Sequence, residues 1–137
     1  MVLTLSLHSN FAAKPFDLDD LLSLRRVADA EASPDGKWVA YTIRAVEMEK
    51  NKLRGHIWVV STEGGQPRQM TNGEEGEGGP RWSPDGKKIA FVTSRGGTSQ
   101  IWVVPFDGGE AQQITKLSSG AENPEWSPDG THIAFTS

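Results

Sequence analysis

One phrase is written three times along this chain. It reads ASPDGKWVAYTI over residues 32–43, WSPDGKKIAFVTS over 82–94 and WSPDGTHIAFTS over 126–137. A second phrase alternates with it, HIWVVSTEGGQPRQMT at 56–71 and QIWVVPFDGGEAQQIT at 100–115. Repetition at a fixed period restricts the fold more than composition does, because one repeat is ordinarily one supersecondary unit that buries its faces on its neighbours. Pro84 and Pro128 stand 44 positions apart (128 − 84), as do Ile57 and Ile101 (101 − 57). Pro34 and Pro84 are 50 apart (84 − 34), and the extra residues of that first copy fall between Ile43 and Ile57.

Within a repeat every local signal is of strand and tight turn. Ser-Pro-Asp-Gly suits a type I turn, with the fixed φ of proline at its second position and a glycine where the chain turns left-handed to rejoin a hairpin. The apolar runs Ile89 to Val92 and Ile101 to Val104 are too short for ordinary helices and rich in β-branched and aromatic residues. Gly64-Gly65 and Gly108-Gly109 mark a further hairpin leading into a more polar fourth strand. Four antiparallel strands in 40-odd residues, with both faces apolar, make a β-propeller blade. The chain is therefore expected to be all-β, a partial β-propeller of about two and a half four-stranded blades with a short N-terminal helix. Rings close with about four to eight blades, so the chain reads as a fragment.

The expected divisions follow from the repeats. Residues 1–14 are a disordered or residual signal segment, 15–28 a helical lead-in, 29–71 blade one, 72–115 blade two and 116–137 the first half of blade three. Asp17 can cap the lead-in helix, with Leu18, Leu21 and Leu22 as its inward stripe and Arg25-Arg26 near its end. The opening MVLTLSLHSNFAAK has the apolar body and small-residue end of a signal peptide without its basic start, which favours a periplasmic or secreted placement over a cytoplasmic one without fixing the compartment.

Few chemical functions fit the composition. A net charge of −4, with 14 basic residues dispersed along the sequence, leaves no footprint for nucleic acid. No segment reads as inserting into a membrane, and cysteine is absent, which removes disulfides and thiolate chemistry. His8, His56 and His132 have no ligand-type neighbours at metal spacing, so neither a metal nor a cofactor is assigned. There is no G-x-S-x-G, no HExxH and no phosphate-binding glycine loop, so no catalytic residue is placed. Asp35, Asp85 and Asp129 belong to turns that themselves call for aspartate, and Trp58, Trp102, Trp82 and Trp126, locked to the repeat, read as packing between blades.

Two irregular links remain. The insertion 44–55 lies between strands two and three, the stretch 72–80 between one blade and the next, and both emerge on the same rim of an up-and-down blade. Loops of uneven length on a rigid scaffold are where binding is built. Candidate access residues there are Glu74, Glu75 and Glu77, as an acidic lip for an amino terminus or a cation, with Arg44 and Arg54. The alternative is a hydrated loop and a salt-bridged hairpin extension.

The repeats WSPDGKKIAF, IWVV and GG resemble the TolB-like, WD-related propeller repeats. Together with FDLDDLLSLRRVADAEASPDGKWVAYTI they resemble the start of a prolyl oligopeptidase-family serine peptidase, in the branch of acylaminoacyl and dipeptidyl peptidases. That resemblance implies a propeller capping an α/β-hydrolase domain of the same parent chain, whose Ser-Asp-His triad would lie beyond Ser137. It implies short peptides as substrates, and a role in gating and scaffolding for this chain. The alternative is a non-enzymatic TolB-like propeller that binds a protein or envelope partner.

Overall fold

The computed structural model describes residues 25–137. The first sheet runs in the order β1 (Arg26–Ala32), β2 (Trp38–Glu47), β3 (Lys52–Ser61), β4 (Arg68–Gln69). The second repeats that order with β5 (Glu77–Trp82), β6 (Lys88–Thr93), β7 (Gln100–Pro105) and β8 (Gln112–Gln113). The third contains β9 (Glu122–Trp126) and β10 (Ile133–Thr136). All pairings are antiparallel between neighbours in sequence. Each new sheet enters through its first strand: β5 packs on β1, β2 and β3, and β9 on β5, β6 and β7. This is a partial β-propeller, as the repeats imply.

The expected segment 1–14 and the lead-in helix up to residue 24 lie outside the described residues. From Arg26 the lead-in is strand, where the sequence suggested helix. The insertion lengthens β2 to ten residues, against six in β6. Its first residue, Arg44, pairs with Arg26, while Ile43 and Thr42, which precede it, pair with Val27 and Ala28 as Thr93 and Val92 pair with Glu77 and Gly78 in the second sheet. Beyond Arg44 the insertion is a hairpin extension closed by a single 3₁₀ turn, Met48–Lys50. Glu47 pairs there with Arg54 at 2.6 Å and with Lys50 at 3.6 Å.

Every SPDG tip has the same wiring. In the second copy Gly86 N–H donates to the Ser83 carbonyl (2.8 Å), closing the turn, and Gly86 takes φ 69°, where a side chain would be strained. The Ser83 hydroxyl donates to Asp85 Oδ1 (2.6 Å) and accepts from Lys88 N–H (2.9 Å), while Lys87 N–H also donates to Asp85 (3.0 Å). Ser33 with Asp35, and Ser127 with Asp129, repeat these bonds. The serine hydroxyl first, then the backbone N–H, hold all three carboxyls below the ordinary aspartate range, Asp129 down to about 2.

A carboxyl depressed in the fold stabilises it above the unfolded aspartate pKa of about 3.9, and that contribution is lost as pH falls through the folded value. The acid limb of stability is thus expected between about pH 4 and pH 2. A carboxyl-detected NMR titration should place Asp129 at about 2. In Ser127→Ala it should move up toward the ordinary range.

The blades hold together through opposite faces of one pleated sheet. Ile89, Phe91 and Val104, with Trp82 of their own sheet, face blade one, where they meet Ala40, Ile57 and Val59. Ala90, Ile101 and Val103 face the other way and meet Ala121, Trp126 and Ile133. Phe106 stands edge-on between Trp38 (5.1 Å) and Trp82 (5.0 Å). Trp38 therefore packs between blades, whereas Lys88 and His132 in the same slot are exposed. The last residue of the second and of the third inner strand adds a bond across blades. Trp82 Nε1–H donates to the carbonyl of Glu31 (3.2 Å), and Trp126 Nε1–H to that of Arg81 (3.1 Å). Ala32, in that slot of the first copy, is exposed, so its small size does not mark a tight space. Among the described residues no helix is long and apolar enough to cross a membrane.

Candidate functional site

The irregular links meet on one rim. The hairpin extension reaches the link into β5 through Lys52 and Glu75 (3.8 Å), and the link before β7 bonds the approach to β9 through Ala121 N–H and the Ser99 carbonyl (2.7 Å). Between them lies a cleft of about 420 Å³, lined among others by Asp29, Arg44, Glu75, Arg81, Glu122 and Asn123. Its edge is shaped by an irregularity repeated in all three inner strands. Asp29 (φ 54°), Gly79 (φ 63°) and Asn123 (φ 52°) occupy one slot of the repeat, and each sits where the ladder of its strand slips register. These three residue types tolerate the left-handed region best. The bulges turn the start of each inner strand toward the cleft.

Charge alternates across the inner strands. Glu31, Arg81 and Glu125 share the next slot but one, and Arg81 lies 3.2 Å from Glu125 and 4.0 Å from Glu31. Burial pushes the Glu31 carboxyl up, against the pull of the Trp82 N–H and of Arg81. A raised folded pKa means that Glu31 supports the fold most fully when protonated and loses that support as pH rises through the folded value. Glu31→Gln is accordingly expected to raise the free energy of unfolding at pH 7 by less than about 0.5 kcal/mol and to leave it unchanged at pH 4. Equilibrium unfolding at the two pH values measures it.

The five candidate access residues separate. Glu74 and Glu75 are exposed, Arg44 pairs with Asp29 (3.0 Å) at the cleft, and Arg54 is tied to Glu47. Glu77 is not part of an exposed lip: its side chain is wholly buried. Oε1 accepts from Gly73 N–H (2.6 Å) and Arg95 Nη2 (2.7 Å). Oε2 accepts from the Thr71 hydroxyl (3.0 Å) and faces His56 Nδ1 (2.8 Å). Gly73 is required here, since a Cβ would collide with Glu77 Oε1.

Blade two makes the same joint with one neutral residue. Gln100, in the slot of His56, accepts from the Thr115 hydroxyl (2.7 Å) and Leu117 N–H (3.2 Å) and donates to the Leu117 carbonyl (2.7 Å). Where His56 cannot close that ring, the carboxylate of the following blade does so. Two slots changing together, His56 against Gln100 and Glu77 against Ala121, were the available sign of it in the sequence. The imidazole at the rim is thus bound to a structural carboxylate, and Thr93 Oγ1 is bonded to the Gly76 carbonyl (2.8 Å). Among the described residues no group of three or more His, Asp or Glu is placed to hold a metal ion. The rim can offer charge of both signs to a ligand.

Four-stranded sheets packed face to face in sequence order, with their uneven links gathered on one rim, define the class: blades of a β-propeller. The chain belongs to the family described as the Tricorn protease N-terminal beta propeller domain, whose model matches residues 52–137. It is 35% identical over 79 residues to dipeptidyl-peptidase 5 of Porphyromonas gingivalis, a match covering 58% of this chain and 12% of that protein. The chain thus spans about an eighth of the curated relative it matches. The fold is similar to that of the Pyrococcus horikoshii acylaminoacyl peptidase, with TM-score 0.69 and 27% identity, over 84% of this chain and 17% of that one. It is also similar to a putative TolB from Agrobacterium tumefaciens, with TM-score 0.65 and 32% identity, over 82% of this chain and 38% of that one.

Proposed function

We propose that this chain supplies propeller blades to a serine peptidase acting on short peptides, and that it gates and scaffolds an α/β-hydrolase domain of the same parent polypeptide. In this reading residues 29–71 and 72–115 are two blades and 116–137 opens a third. The observation that carries it is the 35% identity with a dipeptidyl-peptidase across 79 residues of the repeat region. The rim has the character an entry needs. Glu74 and Glu75 offer exposed charge to the amino end of a peptide, and Arg81 and Arg44, the latter on releasing Asp29, offer it to the carboxyl end, while Arg54 stays with Glu47. Glu77 keeps the rim in shape from beneath.

The full-length gene product tests the reading. It is expected to hydrolyse dipeptidyl or acylaminoacyl 4-nitroanilides through a G-x-S-x-G serine encoded after Ser137, while residues 1–137 alone turn over neither. Full-length protein without such activity or motif would overturn the peptidase reading. Turnover by the chain alone would overturn the placement of the chemistry. A binding propeller of the TolB kind is the second reading, favoured by the 32% identity with the Agrobacterium protein. It expects further blades and no hydrolase motif.

A further inference from the structure

On the face opposite the rim, the SPDG tips of the first two sheets are neighbours. A Cβ on Gly86 of the second tip would touch the Pro34 ring of the first at 3.9 Å. Between these two four-stranded sheets lies a pocket of about 350 Å³, lined by Asp35, Trp38, Trp82, Asp85 and Phe106 among others. It joins aromatic walls to two carboxylates, and no basic side chain lines it. The Ser33 and Ser83 hydroxyls and the N–H groups of Lys37 and Lys87 all bond to Oδ1 of the aspartates. Oδ2 of each is left without a partner among the described residues. Those bonds hold both carboxyls below the ordinary aspartate range, so both are charged at neutral pH.

The next junction shows what such a pocket attracts. Between the second and third tips the corresponding pocket, about 330 Å³, is lined by Asp85, Trp126, Asp129 and by Lys88, which takes the slot of Trp38. There the chain supplies its own ammonium. At the first junction the slot holds an indole instead, and the aromatic cluster beside it already attracts a guanidinium: Arg68 Cζ lies 4.9 Å from the centre of the Phe106 ring.

We propose that the pocket between the first two SPDG tips binds one arginine side chain of a protein or peptide partner. The planar guanidinium stacks on the indole wall while its N–H groups donate to Oδ2 of Asp35 and of Asp85, a pairing that a lysine ammonium makes less well. Ligand pockets run from about 300 to 1,000 Å³, so a space at the low end takes one side chain rather than a folded segment. The pocket is separate from the rim cleft, and the inference stands whether or not the parent protein is a peptidase.

The probes are three blocked tripeptides, acetyl-Ala-X-Ala-amide, in which X is arginine, lysine or citrulline, the last having the shape of arginine without its charge. Each is titrated into the whole 137-residue chain. Nitrogen-15 NMR is expected to show saturable shifts of the Trp38 and Trp82 indole signals with the arginine peptide, weaker binding with lysine and none with citrulline. Asp35→Asn and Asp85→Asn keep Oδ1 for the turn and remove the charge. Each should weaken binding of the arginine peptide by about fivefold, the worth of one exposed charge pair. Trp38→Lys, which copies the arrangement of Lys88, should abolish it. Equal binding of the citrulline or lysine peptide, undiminished binding by the double Asp→Asn variant, or shifts confined to the rim around Glu74 and Glu75 would each overturn the proposal.

Discussion

Glu77→Ala is expected to destabilise the chain by about 3–5 kcal/mol, the range found when one partner of a buried ion pair is removed. The carboxylate has no exposed surface and accepts from Thr71, Gly73 and Arg95 while facing His56. Alanine would leave buried donors from both blades unpaired in a space too dry to hydrate them fully. The loss falls on the joint between the first two sheets, because Thr71 also accepts from Ile57 N–H (2.9 Å) and so anchors β3. Blade two indicates the repair. Introducing His56→Gln into the Glu77→Ala background rebuilds the arrangement that Gln100 makes with Thr115 and Leu117. It should return at least about 1 kcal/mol, one hydrogen bond's worth. Urea unfolding of the parent, the single and the double variant measures both steps. A Glu77→Ala chain as stable as the parent would show that the buried carboxylate is not a joint.

Phe91→Ala is expected to cost about 3–5 kcal/mol, the loss of a large buried side chain plus the cavity it leaves. Phe91 has no exposed surface and lies among Ile57, Val59 and Val104, where two blades meet. The cavity would open between separate sheets, which can approach each other only as far as the Trp82 bond and the Phe106 cluster permit. Collapse is limited, and the cost should fall at the upper end of that range. Phe135→Ala offers the contrast from the same slot. With 41% of its surface in water, it is expected to cost less than half as much. Equal costs at the two positions would contradict the packing of blade two on blade one.

The architecture was legible in the sequence wherever the physics is local. Proline, aspartate and glycine in SPDG specify their own turn, and short β-branched runs specify strands whatever surrounds them. The insertion also declared itself, since its mixed charges read as the hairpin extension that Glu47, Lys50 and Arg54 form. What escaped was set by partners distant in the chain. Glu74, Glu75 and Glu77 look alike as a run, but only Glu77 lies between His56 on one side and Arg95 on the other.

The same holds for Trp38. Its slot is filled by lysine and histidine in the other copies, and only the arrival of Phe106 from the next blade buries it. The strand at Arg26 escaped for a related reason: its ladder partner, Arg44, stands at the start of the insertion further along that lengthens β2. The slot shared by Asp29, Gly79 and Asn123 was readable, since left-handed backbone is the property those three residues have in common.

The most direct test of the propeller arrangement is a nitrogen-15-resolved NOE spectrum of the tryptophan indole protons. Packing of consecutive blades predicts contacts from the Trp82 indole N–H to the backbone of Glu31 and from the Trp126 indole N–H to that of Arg81, both with slowed exchange. Indole protons that exchange at the rate of free tryptophan, or that contact only their own sheets, would contradict it.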